Sequence, residues 1–326
     1  MYPSTGQSAT AKSLEFLRNY GAIVGMLAVL SIFYVFKPAF ISPNNIVNVL
    51  RQGSILIVLA LGLTVVMSMR GVDLSVAQVA DAAGLIAAIL ILHGYPLWTA
   101  IALPLAFGLL IGVINALLMA YLGVPAIIGT LGMMFIIRSA ELLTTNGAEP
   151  QMLFTLPRGL TKSFFFLGQG QIGPVATLIV LALVILALVF FLMHFTAFAR
   201  QAKAVGYNVR AAFLAGIDVR RVFGFGFIVS GLLSAIAGVA LVSRTGIAMP
   251  RGAEPYLLDA FASVYLGTLA SRRGEMNILG TLIGALFIAF LGNGLTLLGL
   301  GAPYRYGLNG GFVLIAMAVG GLKRKY

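Results

Sequence analysis

Residues 173–193 read GPVATLIVLALVILALVFFLM, and no charged side chain interrupts them. A helix needs about 20 mainly apolar residues to cross the hydrocarbon core of a bilayer. In lipid the backbone must also satisfy its own hydrogen bonds, which an uninterrupted helix does. The stretch therefore predicts a transmembrane helix, and similar stretches precede and follow it along the chain.

The composition fits a chain surrounded by lipid. Of its 326 residues 60% are hydrophobic and 9% are charged, with a mean hydropathy of +1.03. Soluble domains carry about 25% charged residues, so a water-exposed globule of this composition could not cover its surface. We expect an all-α polytopic membrane protein with a single domain over residues 1–326, because no internal repeat is evident. Ten segments are predicted spans: 20–36, 46–69, 75–93, 97–122, 125–145, 173–193, 222–243, 256–270, 278–298 and 306–322.

The basic residues predict the orientation of the chain. Ten spans place both termini on one side, and cytoplasmic connections attract lysine and arginine. With the N-terminus inside, thirteen basic residues lie on the cytoplasmic side and seven on the outer side, and Arg138 within a span completes the 21 of the sequence. We therefore predict that both termini are cytoplasmic, with an inner tail at 1–19, an outer loop at 146–172 and an inner coupling loop at 194–221. Inner and outer denote the two faces in this orientation.

Residue types that carry out chemistry are scarce. The chain has no cysteine and only two histidines, His93 and His194, which argues against thiol chemistry and against metal sites built from these ligands. No GxxxxGK[ST] loop, GxSxG elbow or HExxH helix occurs. We expect a non-enzymatic chain without a cofactor of its own, and any use of ATP would belong to a partner subunit. The net charge is +12, but the basic residues form no patch with interleaved aromatic residues. We therefore predict no nucleic-acid binding.

Polar side chains inside predicted spans are the first candidates for function, because a charge at membrane depth costs about 2.5–3.5 kcal/mol on insertion scales. In the third span Asp81 shares a helix face with the small residues Ala77, Gly84 and Ala88, and Gln78 lies one turn earlier. Such a face packs against other helices. Gln78 and Asp81 therefore either line a pathway or form an interhelical hydrogen bond.

Other polar residues of the spans differ in what they predict. Arg138 and Glu141 are three residues apart and are expected to neutralise each other on one helix face. Asp259 has no partner nearby in the sequence. Three asparagines could line a path for a hydroxylated solute, namely Asn115, Asn293 and Asn309.

Glycines at regular spacing predict close helix packing. GxxxG pairs occur at Gly108 and Gly112 and at Gly280 and Gly284. A heptad-spaced seam consists of Gly224, Gly231 and Gly238.

Residues 200–217 of the inner loop read RQAKAVGYNVRAAFLAGI. The segment is basic, rich in small residues and placed between two long spans. It suits a short helix along the membrane surface that fits a groove in a partner, but it also suits a solvated loop whose arginines only fix the topology. Composition alone favours the solvated loop.

The order of residues in this loop resembles the cytoplasmic coupling segment of the permease subunits of bacterial sugar ABC importers, of the ribose, xylose and galactose type. Upstream, PNN at 43–45, RQG at 51–53 and GVDLSV at 71–76 resemble the same family, and the similarity covers nearly the whole chain from about residue 40. The matches to the coupling pattern are Ala204, Val205, Gly206, Asn208, Ala211, Ala212, Gly216 and Ile217.

The resemblance implies a permease in the bacterial inner membrane that pairs with a second copy or a paralogue. It further implies two cytoplasmic ATP-binding subunits, which act through the coupling loop, and a periplasmic solute-binding protein that delivers a monosaccharide or small polyol. The candidate residues of the translocation pathway are then Asp73, Ser75, Gln78, Asp81, Asn115 and Asn293.

Departures from the family leave the solute open. Gln78 and Asp81 replace apolar residues of the family's third span. An ion-coupled secondary transporter, with Asp81, Arg138 and Glu141 as a relay, is an alternative, although such a carrier needs no long basic docking loop. A branched-chain amino-acid ABC permease would share the fold, but the GVDLS run at 71–75 is more similar to the sugar branch.

Overall fold

The computed structural model of the protein describes residues 24–269, 271 and 274–323. The predicted inner tail at 1–19 and the first four residues of the first predicted span lie outside this part of the chain. The helices are α1 (Val24–Phe36), α2 (Pro43–Ser68), α3 (Val76–Leu92), α4 (Leu97–Ala116), α5 (Ala126–Thr144), α6 (Arg158–Gln169), α7 (Thr177–Phe195), α8 (Ala197–Tyr207), α9 (Val209–Leu214), α10 (Val219–Thr245), α11 (Glu254–Leu269), α12 (Ile278–Leu297) and α13 (Ala302–Lys323). A π-helical turn, Leu117–Tyr121, extends α4. The strands have two residues each and are β1 (Gln151–Met152), β2 (Gln171–Ile172), β3 (Val175–Ala176) and β4 (Ile247–Ala248).

These helices confirm the predicted all-α polytopic membrane protein. Six of the described helices are long and apolar enough to cross a bilayer, and α1 and α3 are shorter apolar helices. A helix lies in each of the ten predicted segments, and the boundaries differ by four residues or fewer where both are described, if the π-helical turn is counted as the end of α4.

Local side chains set where several helices begin. Ser42 precedes α2, and its hydroxyl accepts the Asn45 amide over 3.4 Å, while Pro43 occupies the first helical position. Asp218 caps α10 in the same way by accepting the Arg221 amide over 3.1 Å. Each cap satisfies a backbone donor that the helix itself leaves unpaired.

Glycines allow α10 to lie directly against α3 and α4. A methyl group at Gly238 would come within 1.9 Å of the Ala80 carbonyl oxygen on α3. One at Gly231 would come within 2.3 Å of the Gly108 carbonyl oxygen on α4, and one at Gly112 would meet the α10 backbone at 2.7 Å. The predicted glycine seam and the first GxxxG motif are therefore confirmed as packing devices.

A second glycine seam joins α11 to α12. A methyl group at Gly284 would come within 2.1 Å of the Ser263 carbonyl oxygen, and one at Gly280 within 2.4 Å of the Gly267 carbonyl oxygen. Helix α2 lies between the two seams, since it contacts α10 as well as α11 and α12. Every residue of α2 from 53 to 67 is buried, so α2 is the central helix of the described bundle.

The predicted outer loop at 146–172 contains a helix that the sequence analysis did not predict. α6 lies against the end of α10, where the Ser243 hydroxyl donates to the Phe164 carbonyl over 2.5 Å and Gly168 approaches the Arg244 backbone. Strand β1 of this loop pairs with β4, which follows α10, and β2 pairs with β3. The connections after α5 and after α10 therefore meet on one face of the protein.

Candidate coupling surface and translocation pathway

The inner loop at 194–221 folds into two short helices. The hydroxyl of Thr196 accepts the Ala199 amide over 3.3 Å and begins α8. The side-chain oxygen of Asn208 accepts the Ala211 amide over 3.0 Å and begins α9, directly after α8 ends. One residue of the family pattern, Asn208, thus joins the two helices, and the loop contains short helices as one of the two interpretations expects.

Most residues that match the family pattern hold α8 and α9 in place against the rest of the protein. Val205 and Ala212 are buried. A methyl group at Gly206 would come within 2.1 Å of the Ser68 carbonyl oxygen at the end of α2. Gly216 follows α9 with φ +82°, a left-handed conformation that favours glycine. Of the other matches, Ala204 and Ile217 are half-buried and Ala211 is exposed.

A different set of side chains projects from α9. Phe213 and Leu214 are 69% and 78% exposed, Val209 is 48% exposed, and Arg210 is exposed beside them. We call Val209, Arg210, Phe213 and Leu214 the coupling ridge. Clustered large apolar side chains on a surface mark a contact with another molecule. The sequence analysis missed them because it followed the pattern residues, although a Phe-Leu pair in a basic loop was a usable signal.

The coupling ridge is connected to the transmembrane helices at two points. Arg70, just after α2, donates from Nη2 to the Tyr207 carbonyl over 3.1 Å. The Tyr207 hydroxyl donates to the Glu275 carboxylate in the connection between α11 and α12. Through Tyr207, these two bonds join the end of α8 to the inner ends of α2 and α12.

A cavity of about 710 Å³ lies beside α8 at these inner helix ends. Its volume is within the range of roughly 300–1,000 Å³ that small-molecule sites occupy. Side chains that can donate or accept hydrogen bonds face it from α2, α8, α11 and the connection before α12. Among these are Thr64, Lys203, Tyr207, Thr268, Glu275 and Asn277, and Ser68, Arg70, His194 and Tyr265 also line the cavity.

Three of the predicted pathway residues form one buried network. The Asp73 carboxylate accepts from the Ser75 hydroxyl over 2.6 Å and from the Ser230 hydroxyl of α10 over 2.8 Å. The Ser75 hydroxyl in turn accepts from the Asn115 amide of α4 over 3.0 Å. None of the four side chains is more than 1% exposed, and none lines the inner cavity. The network fastens the start of α3 to α4 and α10.

Gln78 and Asp81 make separate contacts. The Gln78 amide donates to the Glu141 carboxylate of α5 over 2.5 Å, and the Asp81 carboxylate accepts the Ala253 amide before α11 over 2.6 Å. Among the described side chains no ion pair joins Arg138 to Glu141. The two side chains therefore form no direct ion pair, because the buried Glu141 carboxylate is bonded to Gln78 of α3 instead.

Asp259 and Asn293 have partners that are distant in the sequence. The Arg305 guanidinium donates to one Asp259 oxygen, and the Asn309 amide donates to the other over 2.5 Å. Asn293 exchanges two hydrogen bonds of 2.8 and 3.0 Å with Asn45, which joins the outer ends of α12 and α2. Local spacing could not reveal these pairs, since 46 residues separate even Asp259 from Arg305.

The chain matches a known family over the elements described above. The model of the family described as "Branched-chain amino acid transport system / permease component" matches residues 45–317, from the first turn of α2 into α13. The chain belongs to this permease family. The resemblance seen in the coupling loop and in the GVDLSV run is thereby confirmed.

Individual relatives are similar to the chain over nearly its whole length. The ribose import permease protein RbsC of Escherichia coli (strain K12) is 33% identical over 309 residues, which are 94% of this chain and 95% of the relative. RbsC of Bacillus subtilis (strain 168) is 37% identical over 304 residues, 92% of each chain. The galactose/methyl galactoside import permease protein MglC of Escherichia coli (strain K12) is 29% identical over 328 residues, 95% of this chain and 96% of the relative. No solved structure matches the chain.

Proposed function

We propose that this chain is the membrane-spanning permease subunit of an ATP-driven ABC importer for a monosaccharide or small polyol. Its relatives of nearly equal length are named ribose and galactose import permeases. The observation that carries the proposal is the coupling ridge, an exposed apolar surface connected to the inner ends of α2 and α12. A permease without a nucleotide-binding loop needs such a surface to receive work from an ATPase.

We infer that the chain crosses a bacterial inner membrane ten times as one domain, with both termini in the cytoplasm. Two groups of contacts support the assignment of these connections to two opposite faces, and the distribution of basic residues supports which of the faces is cytoplasmic. The coupling loop packs on the end of α2, as Gly206 on Ser68 shows, and both belong to the predicted inner face. The connections that carry β1 and β4 pair with each other, and both belong to the predicted outer face.

The inner and outer faces of the protein would bind different partner subunits. On the inner face the coupling ridge would dock on one of two cytoplasmic ATP-binding subunits, while the pattern residues from Ala204 to Ile217 keep the ridge in position. On the outer face a periplasmic binding protein would deliver the solute. A second permease copy or a paralogue would complete the membrane part of the importer.

The connections of α8 explain how ATP would drive transport. When the ATP-binding subunits close, they would move the coupling ridge and, through Tyr207 and Glu275, the inner end of α12. The inner cavity would shrink as the outer ends of α2 and α12 separate, because packed helices switch between discrete arrangements. Of the candidate pathway residues, we propose that Asn293 borders the path. The other candidates would keep α3 in place as a fixed wall of the path, and they are Asp73, Ser75, Gln78, Asp81 and Asn115.

Uptake by proteoliposomes tests the proposal. The chain would be reconstituted with ATP-binding and binding-protein subunits from the same genome, and uptake of D-ribose, D-galactose, xylitol and L-leucine would be measured. We expect sugar or polyol uptake that requires ATP and disappears when either partner is omitted. Uptake driven by an ion gradient without ATP would contradict the proposal, and uptake of L-leucine alone would assign the chain to the amino-acid branch.

A further inference from the structure

We infer that the outer ends of α2, α12 and α13 form a subsite that binds hydroxyl groups of the solute on its way into the membrane. The inference rests on the proposed function and names the first contact of the path. A cavity of about 100 Å³ lies at this place. Its lining includes Gln52, Tyr256, Gly292, Asn293, Thr296 and Arg305.

The Arg305 side chain is held in this cavity with an unused donor. The Asp259 carboxylate, which is 1% exposed, accepts a hydrogen bond from one Nη group of Arg305. Its Nε atom is buried and has no hydrogen-bond partner in the described part of the chain. The guanidinium lies over Gly292, where a methyl group would come within 3.2 Å of Cζ. The packing therefore fixes a planar donor group whose Nε–H is available to a ligand.

The chemistry of the lining selects a neutral, hydroxylated ligand. The exposed Gln52 of α2 offers donors and acceptors, the exposed Thr296 of α12 offers its hydroxyl oxygen as an acceptor, and Leu56 gives an apolar wall for C–H groups. The charge of Arg305 is already compensated by Asp259, so this guanidinium does not require an anionic ligand. Complete small-molecule sites occupy roughly 300 Å³ or more, so this subsite holds one edge of a sugar or polyol.

The subsite lies on the helices that also border the inner cavity. Thr64 of α2 lines that cavity, and its hydroxyl is 2.7 Å from the Thr281 hydroxyl of α12. Thr64 follows Gln52 by twelve residues, which is about 18 Å along a helix. The contact between α2 and α12 therefore separates an outer entry from an inner exit, and its opening would connect them.

A thiol-protection experiment tests the subsite, and the absence of native cysteine makes it specific. Thr296→Cys places a thiol in the cavity, and Thr144→Cys on α5 is the matched control. Both threonines are exposed, and both donate to the carbonyl four residues earlier, over 2.8 and 2.7 Å. A membrane-impermeant methanethiosulfonate would be added from outside to cells that carry the complete importer, with D-ribose, D-galactose or xylitol in excess.

We expect at least one of these three probes to slow labelling at position 296 about fivefold, the factor for a ligand at four times its Kd, and to leave position 144 unchanged. Equal labelling rates with and without each probe would overturn the inference.

A conservative variant gives an independent measurement. Arg305→Lys keeps a positive charge beside Asp259 but removes the Nε donor, so the KM for uptake should rise about five- to tenfold at an unchanged maximal rate. An unchanged KM would count against the subsite. If the unmodified importer moves none of the probes, the proposed function fails; if it moves one and both tests are negative, only the subsite fails.

Discussion

Two polar regions inside the bundle look alike in the sequence and differ in the structure. Around Asp73 the side chains of α4 and α10 bond to the start of α3, lie at 1% exposure or less and line neither of the two cavities; only the Asn115 amide oxygen lacks a partner in the described part of the chain. Around Arg305 a buried carboxylate fixes a donor that remains unused beside a cavity. A polar residue in a span therefore indicates a pathway when space for a ligand adjoins it, and indicates helix packing when other side chains satisfy it.

The largest loss of stability is expected where a glycine of α10 lets its backbone contact the backbone of α3. Gly238→Ala would force α10 away from the Ala80 carbonyl, since its methyl group would start at 1.9 Å, and should lower the free energy of unfolding by about 3 kcal/mol. Gly132→Ala on α5 is the control, because its methyl group would meet nothing within 4 Å. Thermal unfolding in detergent compares the two. Equal melting temperatures would show that the α3–α10 contact is not a rigid wall.

An intermediate effect on stability is expected in the buried network around Asp73. Asp73→Ala removes the acceptor of the Ser75 and Ser230 hydroxyls and should cost about 1–3 kcal/mol for each donor left unpaired. Because the network is structural in this account, the protein that remains folded should transport with an unchanged KM. A raised KM without loss of stability would move Asp73 into the solute path and remove the contrast with Arg305.

The smallest effect on stability is expected at the contact between α2 and α12. The double variant Thr64→Val, Thr281→Val removes both hydroxyls of the 2.7 Å pair, so no group loses its partner across the helices and the free energy of unfolding should change by less than about 1 kcal/mol. The closed contact should nevertheless weaken. ATP hydrolysis without solute should therefore rise about twofold, which corresponds to a decrease of ~0.4 kcal/mol in the activation free energy.

The single variant Thr281→Val is the control for this pair, because the Thr64 hydroxyl keeps its bond to the Ala60 carbonyl. We expect it to have an intermediate hydrolysis rate. Hydrolysis at the unmodified rate in the double variant would mean that this contact does not open during transport.

The sequence predicted the elements that depend on local pattern. The apolar run of α7 identifies a span, and the glycine spacing at Gly231 and Gly238 identifies a packed seam, because both signals repeat within a few residues. The amphipathic helix α6 was missed, since its Phe run in a predicted loop acquires meaning only from its contact with Ser243.

The sites depend on residues that meet from distant parts of the chain. Asp259 had no visible partner until α13 brought Arg305 and Asn309 to it. Both cavities are likewise formed where separate helices end, so no spacing rule reveals them. The coupling pattern was found by resemblance, but the structure assigns much of it to packing and leaves the exposed contact surface to Phe213 and Leu214.

The coupling ridge gives the most direct test of the account as a whole. Leu214→Asp changes a ridge residue that is 78% exposed, and Leu122→Asp changes a leucine that is 73% exposed in another inner connection. Reconstituted with the same ATP-binding and binding-protein subunits and at equal amounts in the membrane, the first variant should lose ATP-driven D-ribose uptake by about tenfold or more, as loss of an interface anchor predicts. The second should transport at the unmodified rate. Full uptake by Leu214→Asp would contradict the claim that an ATPase drives this permease through the ridge.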